Sequence, residues 1–145
     1  LIEQIATPRE IYERPANRFV ASFFGKVNFV PAKIMNIDGD VIKCEILGTV
    51  FDVRQPNHGI RPDRRLEAVL RPEGIEISSV KESPDGIPGT VTRAIYMGNN
   101  INYTVESFGQ QLLVAAPNPK VAGLLPEGEE IRLNLDSGAL HILDL

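Results

Sequence analysis

The residues in this 145-residue chain best suited to chemistry are arginines. Arg61, Arg64 and Arg65, followed by Arg71, form its densest basic cluster. Guanidinium groups at this spacing suit a small oxyanion or phosphate, because each presents a planar fork of donors. The competing expectation is a solvated loop, since Asp63 and Glu67 neutralise part of that charge locally. Arg71-Pro72-Glu73 is the second candidate. Its charges can face a partner subunit and set the register of an interface. They can equally pair across a corner that Pro72 shapes. His58, His141 and Cys44 lie far apart in sequence and share no metal-ligand spacing, so no metal site is expected. Cys44 alternates with Ile42 and Ile46, which reads as a small core residue. No nucleophile, base and orienting acid stand at a recognisable spacing, so no catalytic residues are assigned.

Most of these residues belong to a β pattern. Ile42, Cys44 and Ile46 alternate with Lys43 and Glu45; Ile101, Tyr103 and Val105 alternate with Asn102, Thr104 and Glu106. Phe51 and Val53, and later Ile131, Leu133 and Leu135, continue the alternation. Period two with one apolar face predicts strands covering a core on one side. Turn chemistry separates them at Asp38-Gly39, Gly48, Gly98-Asn99-Asn100, Phe108-Gly109 and Ser137-Gly138. With 12 Gly and 11 Pro in the chain, the expected fold is mainly β, an OB-like small barrel or sandwich of short antiparallel strands.

An internal repeat runs through the pattern. Val30-Pro31-Ala32-Lys33-Ile34 resembles Ile87-Pro88-Gly89-Thr90-Val91. Leu66, Ala68, Leu70, Ile75 and Ile77 share their spacing with Ile131, Leu133, Leu135, Leu140 and Ile142. Two similar halves, 26–80 and 87–145, are therefore expected, joined by the polar connector Lys81–Gly86. Pro117–Pro126 is read as room for a short helical turn.

The opening residues read differently. Thr7, Pro8 and Glu10 form a capping box that starts a short helix, and Pro15 stops it. A second helix from about Ala16 places Phe19, Val20, Phe23 and Phe24 on one stripe, and Gly25 closes it. The chain opens on Leu1 inside a plausible strand, so it is expected to be a piece of a longer protein. A net charge of −4 argues against nucleic acid as a partner, because such binding needs a positive surface. The single Cys excludes an intramolecular disulfide. No apolar run reaches the roughly 20 residues that span a bilayer.

Taken as a string, Gln4…Thr7-Pro8…Glu10-Ile11-Tyr12…Pro15 and Phe19-Val20-Ala21…Phe23…Gly25 resemble the segment that closes the nucleotide-binding domain of ABC importer ATPases. That branch serves sugars, polyamines, ferric iron and sulfate. The later motifs Ala68-Val69-Leu70-Arg71-Pro72-Glu73, Gly89-Thr90-Val91…Tyr96-Met97-Gly98 and Ile131-Arg132-Leu133…Leu140-His141-Ile142-Leu143-Asp144 are similar to those of its C-terminal regulatory TOBE domain. One departure is the tryptophan often found near the closing turn; Asn134-Leu135-Asp136 stands there and the chain has no Trp.

The resemblance implies that residues 1–25 are the tail of an ATPase domain and 26–145 an OB-like regulatory and dimerisation domain. It implies a homodimer, permease subunits reached through the ATPase domain, and a regulatory protein or small effector as a further partner. Arg71, Glu73, Arg61, Arg64 and Arg65 are the expected partner or effector surface. It also implies a place in the cytoplasm, peripheral on the inner face of a bacterial membrane. The sequence lacks a phosphate-cradling Gly-x-x-x-x-Gly-Lys-Ser/Thr loop and a Leu-Ser-Gly-Gly-Gln signature. No cofactor is expected in this segment, ATP and magnesium belonging to the ATPase domain. The alternative is a free-standing OB-like barrel that binds a small oxyanion. A barrel enzyme and an oligonucleotide binder are weaker readings. The transported solute leaves no mark in these residues.

Overall fold

The structure is a computed structural model that describes residues 26–54, 66–117, 125–136 and 140–144. Its strands are β1 (Asn28–Asp38), β2 (Val41–Ile46), β3 (Thr49–Arg54), β4 (Leu66–Leu70), β5 (Ile75–Ser79), β6 (Ile87–Tyr96), β7 (Asn100–Ser107), β8 (Gln110–Pro117), β9 (Glu130–Leu135) and β10 (His141–Asp144). A 3-10 turn, Pro72–Gly74, precedes β5. The expected helices of residues 1–25 lie outside the described residues, as do residues 118–124 of the turn expected within Pro117–Pro126.

The strands form two antiparallel sheets in two compact units. One has the order β10-β4-β1-β2-β3 and the other β5-β9-β6-β7-β8. The mainly β, OB-like fold read from the alternation is the fold observed.

Each unit builds its core from the inward residues of its own sheet. In the first, Val30, Ile42, Cys44, Ile46, Val53, Leu66, Ala68 and Ile142 are buried. In the second, Ile87, Val91, Ile101, Tyr103, Val105, Leu112, Val114, Ile131 and Leu133 are buried. Full burial of a side chain of this size contributes about 1.5–3 kcal/mol. The outward residues Lys43, Glu45, Asn102 and Glu106 are exposed, so a one-residue register slip would invert the arrangement.

The two sheets repeat one another strand for strand. Val30 lies opposite Ala68 as Ile87 lies opposite Leu133. Ile34 lies opposite Cys44 as Val91 lies opposite Val105. Both long strands carry a register shift at the same place, between Ile34 and Asn36 in β1 and between Val91 and Arg93 in β6. A bulge there bends the strand and deepens the twist. In the second unit β5 and β8, the two outer strands, approach each other, so the sheet curls on itself.

The closing strands depart from the reading along the sequence. There, Arg71–Gly74 joins two strands of one half; here, it carries the chain out of the first sheet and into the second. β5 pairs with β9, and β4 pairs with β10 from the far end of the chain. Lys81–Gly86 likewise joins β5 to β6 within the second sheet. It is tied down locally. The Ser79 amide and hydroxyl donate to Glu82 Oε1 at 3.3 and 3.0 Å. Asn134 Nδ2 donates to Ser83 Oγ at 3.3 Å.

Gly89 shows how closely β6, β7 and β9 pack. A Cβ built on it would stand 2.8 Å from Val105 Cγ1 and 3.3 Å from Ile131 Cδ1. Its counterpart in β1 is Ala32, whose Cβ is accommodated. Gly89→Ala is expected to cost about 1–3 kcal/mol by overpacking a β-branched neighbour that has little freedom to move. Denaturant unfolding of the chain measures it.

Candidate partner-facing corner and hairpins

The chain turns from β4 to β5 through four residues, and Pro72 dictates how. The residue before a proline is pushed away from the helical region, and Arg71 is extended at φ −75° and ψ 139°. Pro72 then opens the 3-10 turn, where its missing N–H costs nothing. The Gly74 amide donates to the Arg71 carbonyl at 2.9 Å, and Ile75 resumes extended geometry.

This places two of the five expected surface residues on one corner. Arg71 is half-buried and Glu73 is exposed. Burial draws the Arg71 guanidinium below its ordinary pKa by desolvation, although arginine stays cationic in proteins. The corner lies beside β8. Arg61, Arg64 and Arg65, and His58 with them, lie outside the described residues. His141 sits in β10 opposite Val69, while Cys44 is buried in β2 opposite Ile34 and Phe51. Among the described residues no three His, Cys, Asp or Glu side chains gather as metal ligands.

A second feature carries no charge and escapes the arginine-led reading. β2–β3 and β7–β8 are joined by two-residue turns, Leu47-Gly48 and Phe108-Gly109. All four residues have positive φ: 51° and 73° in the first, 49° and 77° in the second. Such paired left-handed residues match the twist of the flanking strands, and the first position favours Asn, Asp or Gly. A bulky residue there costs roughly 1–2 kcal/mol. Leu47 offsets this cost by burial, at 5% exposure. Phe108 does not: it is 59% exposed. A strained, exposed aromatic makes this hairpin end a candidate contact surface. The signal in the sequence was Phe-Gly standing where Asn-Gly folds more easily.

At the other end of β7, Ile95, Tyr96 and Met97 are 40%, 57% and 54% exposed around a turn in which the Met97 amide donates to the Asn100 carbonyl at 2.8 Å. The second unit thus carries a charged corner and two apolar hairpin ends. These groups suit binding.

Residues 68–143 match the TOBE domain family. The spermidine/putrescine import ATP-binding protein PotA of Marinobacter nauticus is 35% identical over 107 residues, 73% of this chain and 28% of its own length. PotA of Vibrio parahaemolyticus is 38% identical over 118 residues, 79% of this chain and 31% of its own. The Fe(3+) ions import ATP-binding protein FbpC of Brucella suis is 27% identical over 143 residues, 99% of this chain and 38% of its own. The chain therefore spans about a third of the length of these relatives. Among solved structures, the cytoplasmic molybdate-binding protein ModG with molybdate bound shares the fold at a TM-score of 0.64. That likeness covers 79% of this chain and 94% of the other at 13% identity.

Two outcomes are expected. Phe108→Asn relieves the left-handed strain without loss of burial and raises stability by about 0.5–1 kcal/mol, read from urea unfolding. Burial raises the Cys44 thiol pKa by desolvation. The unfolded chain then releases that proton first as pH rises past the ordinary thiol value of about 8.5, so this stability contribution is lost at alkaline pH. Cys44→Ala removes that part of the pH dependence in melts compared at pH 7 and 10.

Proposed function

Because this chain belongs to the TOBE domain family, we propose that it is the C-terminal regulatory and dimerisation segment of the ATP-hydrolysing subunit of an ABC importer. The observation that carries this reading is the family match together with ATP-binding relatives that align over most of the chain. The alignment with the ferric iron relative covers 99% of the chain, the opening residues included. On this reading residues 1–25 are the tail of the ATPase domain and 26–145 the TOBE-type domain. The segment itself is non-catalytic. ATP and magnesium bind in the ATPase domain of the intact protein, which couples hydrolysis to solute import from the cytoplasmic face of the membrane.

The mechanism follows from tethering. A lasting contact between two copies of this domain keeps their ATPase domains at high effective concentration after nucleotide has left. A regulatory protein or small effector that prefers the domain in one state of the cycle biases that state by its differential affinity. Arg71 and Glu73 supply charge for such a contact; Tyr96, Met97 and Phe108 supply exposed apolar area.

A second reading is supported by the fold shared with ModG: a free-standing OB-like barrel that binds a small oxyanion. Titration calorimetry with molybdate and sulfate separates the two. Heat of binding by the isolated chain supports the oxyanion site. Silence with both anions leaves the dimer clamp.

The dimer reading makes its own prediction. Sedimentation equilibrium of the isolated chain shows a reversible dimer, and a strict monomer at high concentration sinks the clamp. Glu73→Arg, at an exposed position, weakens that dimer on the order of tenfold, about 1.4 kcal/mol, read from the same sedimentation measurement.

A further inference from the structure

The two sheets acquire their closing strands differently. The second unit is contiguous from β5 to β9, whereas the first is complete only when β10 returns to β4. We propose that Arg71-Pro72-Glu73-Gly74 is an exchange hinge, and that Pro72 selects the exchanged arrangement over two contiguous five-stranded units. This is independent of the transporter reading.

The two closing strands fit either sheet. Ile77 lies opposite Leu133 as Ile142 lies opposite Ala68. Glu76 lies opposite Asn134 as His141 lies opposite Val69. Both strands present isoleucine at the paired position, Ile142 buried and Ile77 half-buried, so folding β5 back onto β4 would set Ile77 against Ala68 at little cost in volume. Chain length permits it too. Four residues separate β4 from β5, within the two to five of ordinary hairpin loops.

The backbone at the corner opposes it. Four-residue hairpin loops are most often built around a type I turn, which needs helical geometry early in the loop. Arg71 precedes a proline and is held extended, which disfavours that geometry. The chain therefore leaves β4 in an extended direction and closes only the 3-10 turn Pro72–Gly74. One packing contact also favours β10 on β4: Leu143 and Val69 are buried together with Val27 and Phe29 packed against them, a place where β5 would offer Ser78.

Disulfide trapping in a Cys44→Ala background distinguishes the arrangements. Val69→Cys with His141→Cys reports β4 beside β10; Val69→Cys with Glu76→Cys reports β4 beside β5. Each chain is unfolded, refolded at low concentration and oxidised, and the intramolecular link is read by mass after alkylation. With Pro72 present, the 69–141 link forms and the 69–76 link does not. In P72N/E73G, whose Asn-Gly favours a hairpin, the link moves to 69–76 in most molecules. Leu143→Ser with Pro72 intact keeps the 69–141 link. The proposal is overturned if P72N/E73G melts cooperatively yet links only 69–141, or if Leu143→Ser alone produces the 69–76 link. Should P72N/E73G fail to fold, Pro72→Ala replaces it, with a detectable 69–76 fraction expected and its absence from a folded protein counting against the hinge.

Discussion

The pairing of β4 with β10 from the far end of the chain, and of β9 with β5 from the start of its own unit, is the constraint on which the rest of this structure depends. Ile142 against Ala68 completes one core, and Ile77 against Leu133 completes the other. Both contacts are apolar and join residues remote in sequence; Ile142, Ala68 and Leu133 are buried and Ile77 is half-buried. Without β10 the first sheet would expose the edge of β4 and lose the cover over Ala68, leaving unpaired backbone groups as well as apolar surface. The first unit therefore cannot be finished until the whole of the second has been made. Loop-closure cost of this kind grows only slowly with length, so the topology slows folding more than it weakens the product.

Within that frame the units hold themselves together by register. Alternation sets which face of each strand is buried, and the two bulges curl the sheets at equivalent places. Side-chain hydrogen bonds then satisfy what the ladders leave over. Ser107 Oγ donates to the Pro88 carbonyl at 2.8 Å, and Tyr103 Oη accepts from the Leu125 amide at 3.2 Å. In the first unit Asn28 Nδ2 donates to the Leu70 carbonyl at 3.2 Å. Buried polar groups paired in this way fix one arrangement where apolar packing alone would tolerate several.

Much of this was legible in the sequence, for local reasons. Ile42-Lys43-Cys44-Glu45-Ile46 states its inward and outward faces by composition alone, and Leu47-Gly48 and Phe108-Gly109 stand at the turns that the alternation requires. The matched spacing of Leu66, Ala68 and Leu70 with Ile131, Leu133 and Leu135 corresponds to equivalent registers in the two sheets. Which strand closes which sheet was not legible, because Ile75 and Ile77 and Leu140 and Ile142 satisfy the same pattern. Pairing is a non-local choice between near-equals, and a pattern cannot rank equals. At the candidate surface, Pro72 announced a corner, but that its 3-10 turn lies beside β8, distant in the chain, is a non-local fact the pattern does not carry. The arginines at 61, 64 and 65 fall outside the described residues, so the structure bears on Arg71 and Glu73 only.

A scaffold made of two equivalent sheets also tells where function belongs, since equivalent positions that only fold should carry interchangeable residues. Most do: Val30 and Ile87, Ile34 and Val91, Cys44 and Val105 are small or medium apolar side chains in the same roles. The exceptions sit at the surface. Leu47 and Phe108 share one strained backbone geometry, yet the first is buried and the second exposed. Beyond the matching bulges, the first hairpin end carries Asp38-Gly39-Asp40, and the second carries Tyr96-Met97-Gly98-Asn99. The first unit exposes apolar side chains too, Met35 and Val50, but no aromatic among its described residues is exposed to the degree of Tyr96 and Phe108. Aromatic side chains exposed at both hairpin ends, Tyr96 and Phe108, distinguish the second unit from the first and make those ends candidates for a contact surface.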